Sequence, residues 1–238
     1  MEPAPDQFAR GARAVAEQAA QLMEPGMRLG LGSGRMALAF VEALRPQLER
    51  GLKVCAICTS RATEALARSL GIELLDNSAG GLDVDLDGAD EFDSQLNLLK
   101  GGGGALLREK VVAQGSRRFW ILADSAKQVG QLASSHPLPV EVLCFDWEAS
   151  AALCQARLSC RAELRGGPES PFVTDNGNYL LDLHFAAGLN DAGEAARQLD
   201  QMAGILGHGL FLGMATAAII FDAGQLRILG DLKRERDL

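Results

Sequence analysis

The spacing of apolar residues changes character along this chain, and each change predicts an element. Residues 6–23 carry alanine and other apolar side chains at helical spacing until Pro25-Gly26 stops them, which predicts a helix. A short run over 27–31 predicts a strand that enters the turn Gly30-Leu31-Gly32-Ser33-Gly34, and a helix is expected over roughly 35–50. Strand 52–58, helix 61–70 and strand 72–75 follow, with Thr59-Ser60 and Glu64 placed much as in a capping box. After a turn through Asn77 to Gly81, Val84 and Leu86 alternate with aspartates, which predicts a strand over 82–86 delivering Asp87 and Asp90 beyond its carboxyl end. Helix 105–115 and strand 118–123 complete another strand–helix unit.

From about residue 132 the pattern differs. Strand 138–144, helix 148–158, strand 160–165, a turn at Gly166-Gly167-Pro168, strands 171–174 and 178–184 joined by Asp175-Asn176-Gly177, and helix 191–202 are expected. Strands joined by short turns, with two helices, predict a small antiparallel α+β domain. Strands 209–213, 216–221 and 225–229 are expected to return to the first sheet, and the tail DLKRERDL reads as a solvated end. The fold class is therefore α/β, a Rossmann-like sheet domain over 1–131 plus 207–238, with a smaller α+β antiparallel domain over 132–206.

Composition narrows the function. With 23 basic and 31 acidic side chains the net charge is -8, which opposes nonspecific attraction to nucleic acid or anionic membranes, so an anionic ligand needs a local cationic pocket. The longest nearly apolar run, 209–221, is shorter than the ~20 residues of a membrane helix, and MEPAPDQF lacks the parts of a signal peptide. A cytoplasmic protein is expected. Five cysteines are an odd count, and the Cys55–Cys58 CxxC lies in VCAIC, which reads as a buried strand with no second pair or His cluster to complete a zinc site. His136, His184 and His208 are scattered.

The chemistry concentrates in Asp83 to Lys110, DVDLDGADEFDSQLNLLKGGGGALLREK. Aspartates precede Lys100 and four consecutive glycines, and Glu109 sits about one turn into the helix that follows, where the dipole favours a carboxylate. The glycines allow close approach of main-chain N–H groups to a phosphate or an oxyanion. Base, further carboxylates, cation and amide donors together suit proton transfer beside a carbonyl. Two other readings fail on position. A dinucleotide GxGxxG would need glycine where Arg35 stands, and a calcium loop starting at Asp83 would need glutamate where Ser94 stands.

DGADE and KGGGGALLREK resemble the active-site signature of the type A ribose-5-phosphate isomerases, as do TSRATEALARSLGI, WILADSAKQV, HPLPVEV, VTDNGNYLLDLHF and GLF, in that family's order. The resemblance implies interconversion of ribose 5-phosphate and ribulose 5-phosphate through a cis-enediolate, without a metal or organic cofactor, by a homodimer or homotetramer. It implies that Glu109 moves the proton between C1 and C2, that Asp87 serves the sugar oxygens and ring opening, that Lys100 stabilises the enediolate oxygen, and that Asp90 orients hydroxyls. Gly88, Ala89, Gly101, Gly102, Gly103 and Lys127 would contact the substrate. One departure stands out. Where the family has threonine-glycine-serine-threonine in its phosphate loop, this chain has Ser33-Gly34-Arg35-Met36, exchanging two hydroxyls for a guanidinium. That leaves open a paralogue acting on another sugar or sugar acid, and a non-catalytic sugar-phosphate sensor, although a sensor has no need of Glu109 and Lys100.

Overall fold

The computed structural model describes residues 5–237. They form two compact units, one from the residues through Ala89 with Arg108–Lys127 and those from Gly213 onward, the other from Asp90–Leu107 with Gln128–Leu212.

In the first unit, seven strands run in the order Gln225–Gly230, Ala217–Asp222, Phe119–Asp124, Val84–Asp87, Arg28–Leu31, Cys55–Cys58, Glu73–Leu74. Every neighbouring pair is parallel except the first, a hairpin whose two-residue turn puts Ala223 and Gly224 at positive φ. Parallel pairing demands crossovers, here helices Gly34–Ala43, Arg61–Ser69 and Leu106–Gln114. The alternation around Val84 is resolved by burying both faces. Val84 and Leu86 join Leu29, Leu31, Phe40, Trp120 and Ile219 in one core, while Asp85 is fully buried too. Large side chains buried this fully contribute ~1.5–3 kcal/mol each. Gly30 cannot carry a side chain, since an added Cβ would lie 2.6 Å from both Asp85 Oδ1 and Val112 Cγ1.

The second unit holds two antiparallel sheets. One has four strands in the order Ile205–His208, Leu138–Val142, Tyr179–His184, Arg161–Leu164, with helices Trp147–Leu158 and Ala192–Asp200 supplying residues to its core. The other is built from three two-residue strands, Leu210–Phe211, Leu98–Leu99 and Glu91–Phe92. Buried Glu91 fixes this region by accepting N–H bonds from Ala133 (2.6 Å), Ser135 (2.6 Å) and His136 (2.7 Å). In the same unit, buried Glu141 ties down the Asp175-Asn176-Gly177 turn, taking bonds at one oxygen from Thr174, Asn176 and Asn178.

The mainly parallel sheet and the separate antiparallel α+β unit agree with the sequence, but several local expectations do not. The segment expected as strand 209–213 does not return to the seven-stranded sheet; Leu210–Phe211 pairs with Leu98–Leu99. Strands at Glu91–Phe92, Leu98–Leu99 and Ile205–His208 were not legible, because runs of two to four residues carry no period. The helix expected over 35–50 is two helices, Gly34–Ala43 and Arg45–Glu49, with Pro46, which has no N–H to give, in the first turn of the second. The tail is not simply solvated. The Arg236 guanidinium donates to the carbonyls of Ala113 and Ser116 at the end of helix Leu106–Gln114, and its N–H bonds Arg117 O at 2.8 Å. Burial holds the Arg236 pKa below its usual value, and Asp85 acts in the opposite direction.

Candidate active site

In the first unit the chemistry gathers at the carboxyl ends of the parallel strands. Asp87 is the last residue of its strand, in register with Ile121, and is 1% exposed. Its Oδ1 accepts the N–H of Ser33 at 3.1 Å and that of Gly88 at 2.7 Å, so two main-chain donors set the direction of the carboxylate. Gly32 makes this approach possible. A Cβ on residue 32 would lie 2.0 Å from Asp87 Cγ. Glu109 occupies the first turn of helix Leu106–Gln114 and is 5% exposed, a position in which the helix N-terminus supports negative charge.

Ser33 precedes helix Gly34–Ala43 in an extended conformation, but its side chain does not cap that helix. Its hydroxyl instead shares a 2.7 Å bond with Thr59, which also bonds Leu31 O at 3.3 Å, while Thr63 Oγ1 donates to Gly32 O at 2.8 Å. Ser60 caps helix Arg61–Ser69 by accepting the Thr63 N–H at 3.2 Å. The helix at Gly34 thus keeps first-turn amides without a side-chain cap, beside two hydroxyls. Gly34 itself takes φ 79, which L side chains rarely adopt. Met36 Cβ would meet a side chain on Gly88 at 3.7 Å, so it borders the same turn, with Ala89 following Gly88. Arg35 is different. Arg35 lines the groove beside Ala12, Ala16, Ala39 and Glu42, between helices Pro5–Ala20 and Gly34–Ala43. Lys127 ends the short 3-10 turn Ser125–Lys127 after strand Phe119–Asp124 and is half-buried.

The second unit holds Asp90, Lys100 and the glycine loop. Asp90 Oδ2 accepts the Gly102 N–H at 2.7 Å. Lys100 is 3% exposed; its N–H bonds Gly209 O at 2.8 Å and its ammonium stands 5.5 Å from the centre of the Phe211 ring. Gly101 and Gly104 take φ 105 and 85, conformations that favour glycine. Two of the loop's N–H groups are already engaged, since Gly104 N–H bonds Gly101 O at 2.9 Å and Gly102 N–H is held by Asp90. Gly103 is exposed, and among the described residues no acceptor takes its N–H.

Sequence reasoning missed the supports. Gly209 must be glycine, because a Cβ there would lie 2.2 Å from Lys100 O, and GLF at 209–211 was the only hint of it. Phe211 lies against the Lys100 ammonium, and Arg165 donates to both Gly101 O and Gly102 O at 3.0 Å. No local signal marks Arg165. Cys55 and Cys58 are free thiols, and among the described residues no three His, Cys, Asp or Glu side chains gather as metal ligands would. Nor is any helix there long and apolar enough to cross a membrane.

The family model of ribose 5-phosphate isomerase A (phosphoriboisomerase A) matches residues 55–224. A ribose-5-phosphate isomerase A of Thermomicrobium roseum is 44% identical over 223 residues, covering 92% of this chain and 93% of the relative. One from Ruegeria pomeroyi is 43% identical over 214 residues, covering 87% and 81%. Among solved structures, ribose 5-phosphate isomerase from Plasmodium falciparum superposes with a TM-score of 0.88 at 34% identity, covering 93% of this chain and 98% of that one.

Proposed function

The chain belongs to the ribose 5-phosphate isomerase A family, and from that premise we propose that it interconverts ribose 5-phosphate and ribulose 5-phosphate, with Glu109 as the base that moves one proton between C1 and C2. Glu109 takes the proton from C2 of the open-chain aldose, the C2–H electrons form the enediolate double bond, and the same proton returns at C1. Asp87 relays the proton between the two sugar oxygens and serves ring opening. Lys100 and the main chain of Gly101–Gly103 stabilise the oxygen that gains charge, an electrostatic contribution of ~3–4 kcal/mol for one well-placed donor. Asp90, with one oxygen committed to Gly102, orients a sugar hydroxyl with the other.

The phosphate is held by the first-turn amides of Gly34, Arg35 and Met36, by the hydroxyls of Ser33 and Thr59, and by Lys127. In this reading residues 35 and 36 act through their main chain, so the loss of two family hydroxyls is tolerated. Gly88 and Ala89 line the sugar. The reading rests most on one observation: Asp87 and Glu109 are 1% and 5% exposed, and a merely solubilising acid would not be buried at such cost. We propose in addition a cytoplasmic homodimer or homotetramer, which light scattering and cell fractionation test.

The deciding experiment is an isomerase assay with ribose 5-phosphate beside free ribose and other pentose phosphates. Turnover of ribose 5-phosphate above the others is expected. Preference for another sugar would point to a paralogue, and binding without turnover would leave only a sensor.

A further inference from the structure

One half-buried cation of the second unit is unused by the reaction as described. Arg165 follows strand Arg161–Leu164, and its side chain is 17% exposed. Asp182, on the neighbouring strand Tyr179–His184 and 16% exposed, grips it side-on, taking Nε at 2.9 Å and Nη2 at 2.5 Å. A guanidinium is a planar fork, so this grip decides where the remaining nitrogen points. Nη1 donates to Gly101 O and to Gly102 O, each at 3.0 Å. Phe172 closes the other side. Its N–H bonds Arg165 O at 2.8 Å, its ring lies 5.9 Å from the guanidinium carbon, and it packs so near Gly104 that a Cβ there would sit 2.6 Å away.

The consequence follows from peptide geometry. In a trans peptide the C=O and the following N–H point in opposite directions. The Gly101–Gly102 peptide is held at both ends, its oxygen by Arg165 and its N–H by Asp90. The Gly102–Gly103 peptide is held by Arg165 at its oxygen alone, which turns the Gly103 N–H away from Arg165. Glycines rotate freely enough that nothing local would otherwise fix these planes. A carbonyl bonded to a cation also polarises its own peptide, making the N–H at the far end a better donor.

We propose that Arg165, gripped by Asp182, is a positioning residue that turns the Gly102–Gly103 peptide so that the Gly103 N–H meets the oxygen gaining charge during isomerisation. This rests on the reading above, in which the glycine loop contacts the substrate. Arg165 does not touch the sugar. It sets the loop, and its effect belongs in turnover more than in binding.

The test uses the full-length protein and ribose 5-phosphate. Wild-type protein is assayed first, and inactivity there would overturn the isomerase reading together with the clamp. With an active wild type, Arg165→Ala should lower kcat by about 10- to 100-fold, less than outright loss of an oxyanion donor, with KM within about threefold. Millimolar guanidinium should restore part of the lost kcat, whereas sodium at equal ionic strength should not. A kcat within about threefold of wild type, a loss confined to KM, or a kcat loss that guanidinium leaves unchanged would overturn the clamp while leaving the isomerase reading intact. If Arg165→Ala does not fold by near-ultraviolet circular dichroism, Arg165→Lys carries the test. An ammonium cannot make the four bonds of the fork, so its kcat should still fall by about tenfold, and wild-type kcat in that variant would refute the proposal. Arg161→Ala, at an exposed position on the strand that Arg165 follows, is the control and should match wild type.

Discussion

Gly32→Ala isolates how far the proposed catalytic geometry at Asp87 depends on an absent side chain. Gly32 is not among the positive-φ residues, so its backbone conformation admits alanine and the objection is purely one of space. The new Cβ would lie 2.0 Å from Asp87 Cγ, 2.1 Å from its Oδ1 and 2.4 Å from its Cβ. Carbon atoms rest at ~3.5–4.0 Å, so the overlap is about 1.5 Å. No rotation of a methyl group relieves it. Asp87 must either swing away, giving up the N–H bonds from Ser33 and Gly88, or be carried off as the two strands separate. Bonds to a charged acceptor are worth ~1.5–3 kcal/mol each, and overpacking costs ~1–3 kcal/mol, so a folded but less stable protein is expected. A displacement of about 1 Å at a reacting group costs ~10²-fold in rate. The variant should therefore lose about 100-fold in kcat/KM for ribose 5-phosphate, with a lowered but cooperative thermal transition. A folded Gly32→Ala protein with kcat/KM within about threefold of wild type would refute the reasoning, because Asp87 would then tolerate a shift that its proposed proton transfer forbids.

Glu109→Gln should abolish turnover while leaving ribose 5-phosphate binding, read by calorimetry, within about tenfold, since the amide keeps shape but cannot take a proton. Retained turnover would remove Glu109 from its role. Glu91→Gln should cost about 2–4 kcal/mol in urea unfolding, because one carbonyl and one amide replace two oxygens that accept three N–H groups; an unchanged midpoint would show that the Ala133–His136 segment is held otherwise. Burial first, and Glu64 second, push the Cys58 thiol up to about 12 from 9.0, and burial first, then Cys160, push Cys154 up to about 11. Both groups therefore stay protonated in the folded chain over a range where the unfolded chain releases the proton. Stability should fall as pH rises from about 9 towards 11, and the fall should be shallower in Cys58→Ala/Cys154→Ala. Equal pH slopes for the two proteins would contradict this.

Much of this protein was readable along the chain because the signals are local. Strand, glycine turn and helix at Arg28–Ala43, the acidic strand end at Asp87 and the loop at Gly101–Gly104 each announce themselves within one short stretch of sequence by period and by glycine. Those signals place the elements and name the groups able to transfer a proton. They are silent about pairings made across long stretches of sequence. Leu98–Leu99 pairs with Leu210–Phe211, Gly209 takes the Lys100 N–H, and Arg236 reaches Ala113 and Ser116, yet none of these residues differs in type from its solvated counterparts elsewhere. Arg165 is the sharpest case. From the sequence it is one arginine before two glycines; only the antiparallel neighbour that brings Asp182 alongside turns its fork towards Gly101 and Gly102. The sequence by itself determined which backbone could bend and which side chains could carry charge, because those are properties of residues. The tertiary structure decided which carboxylate and which guanidinium hold a peptide plane, because a hydrogen bond depends on direction, and direction is set by partners distant in sequence.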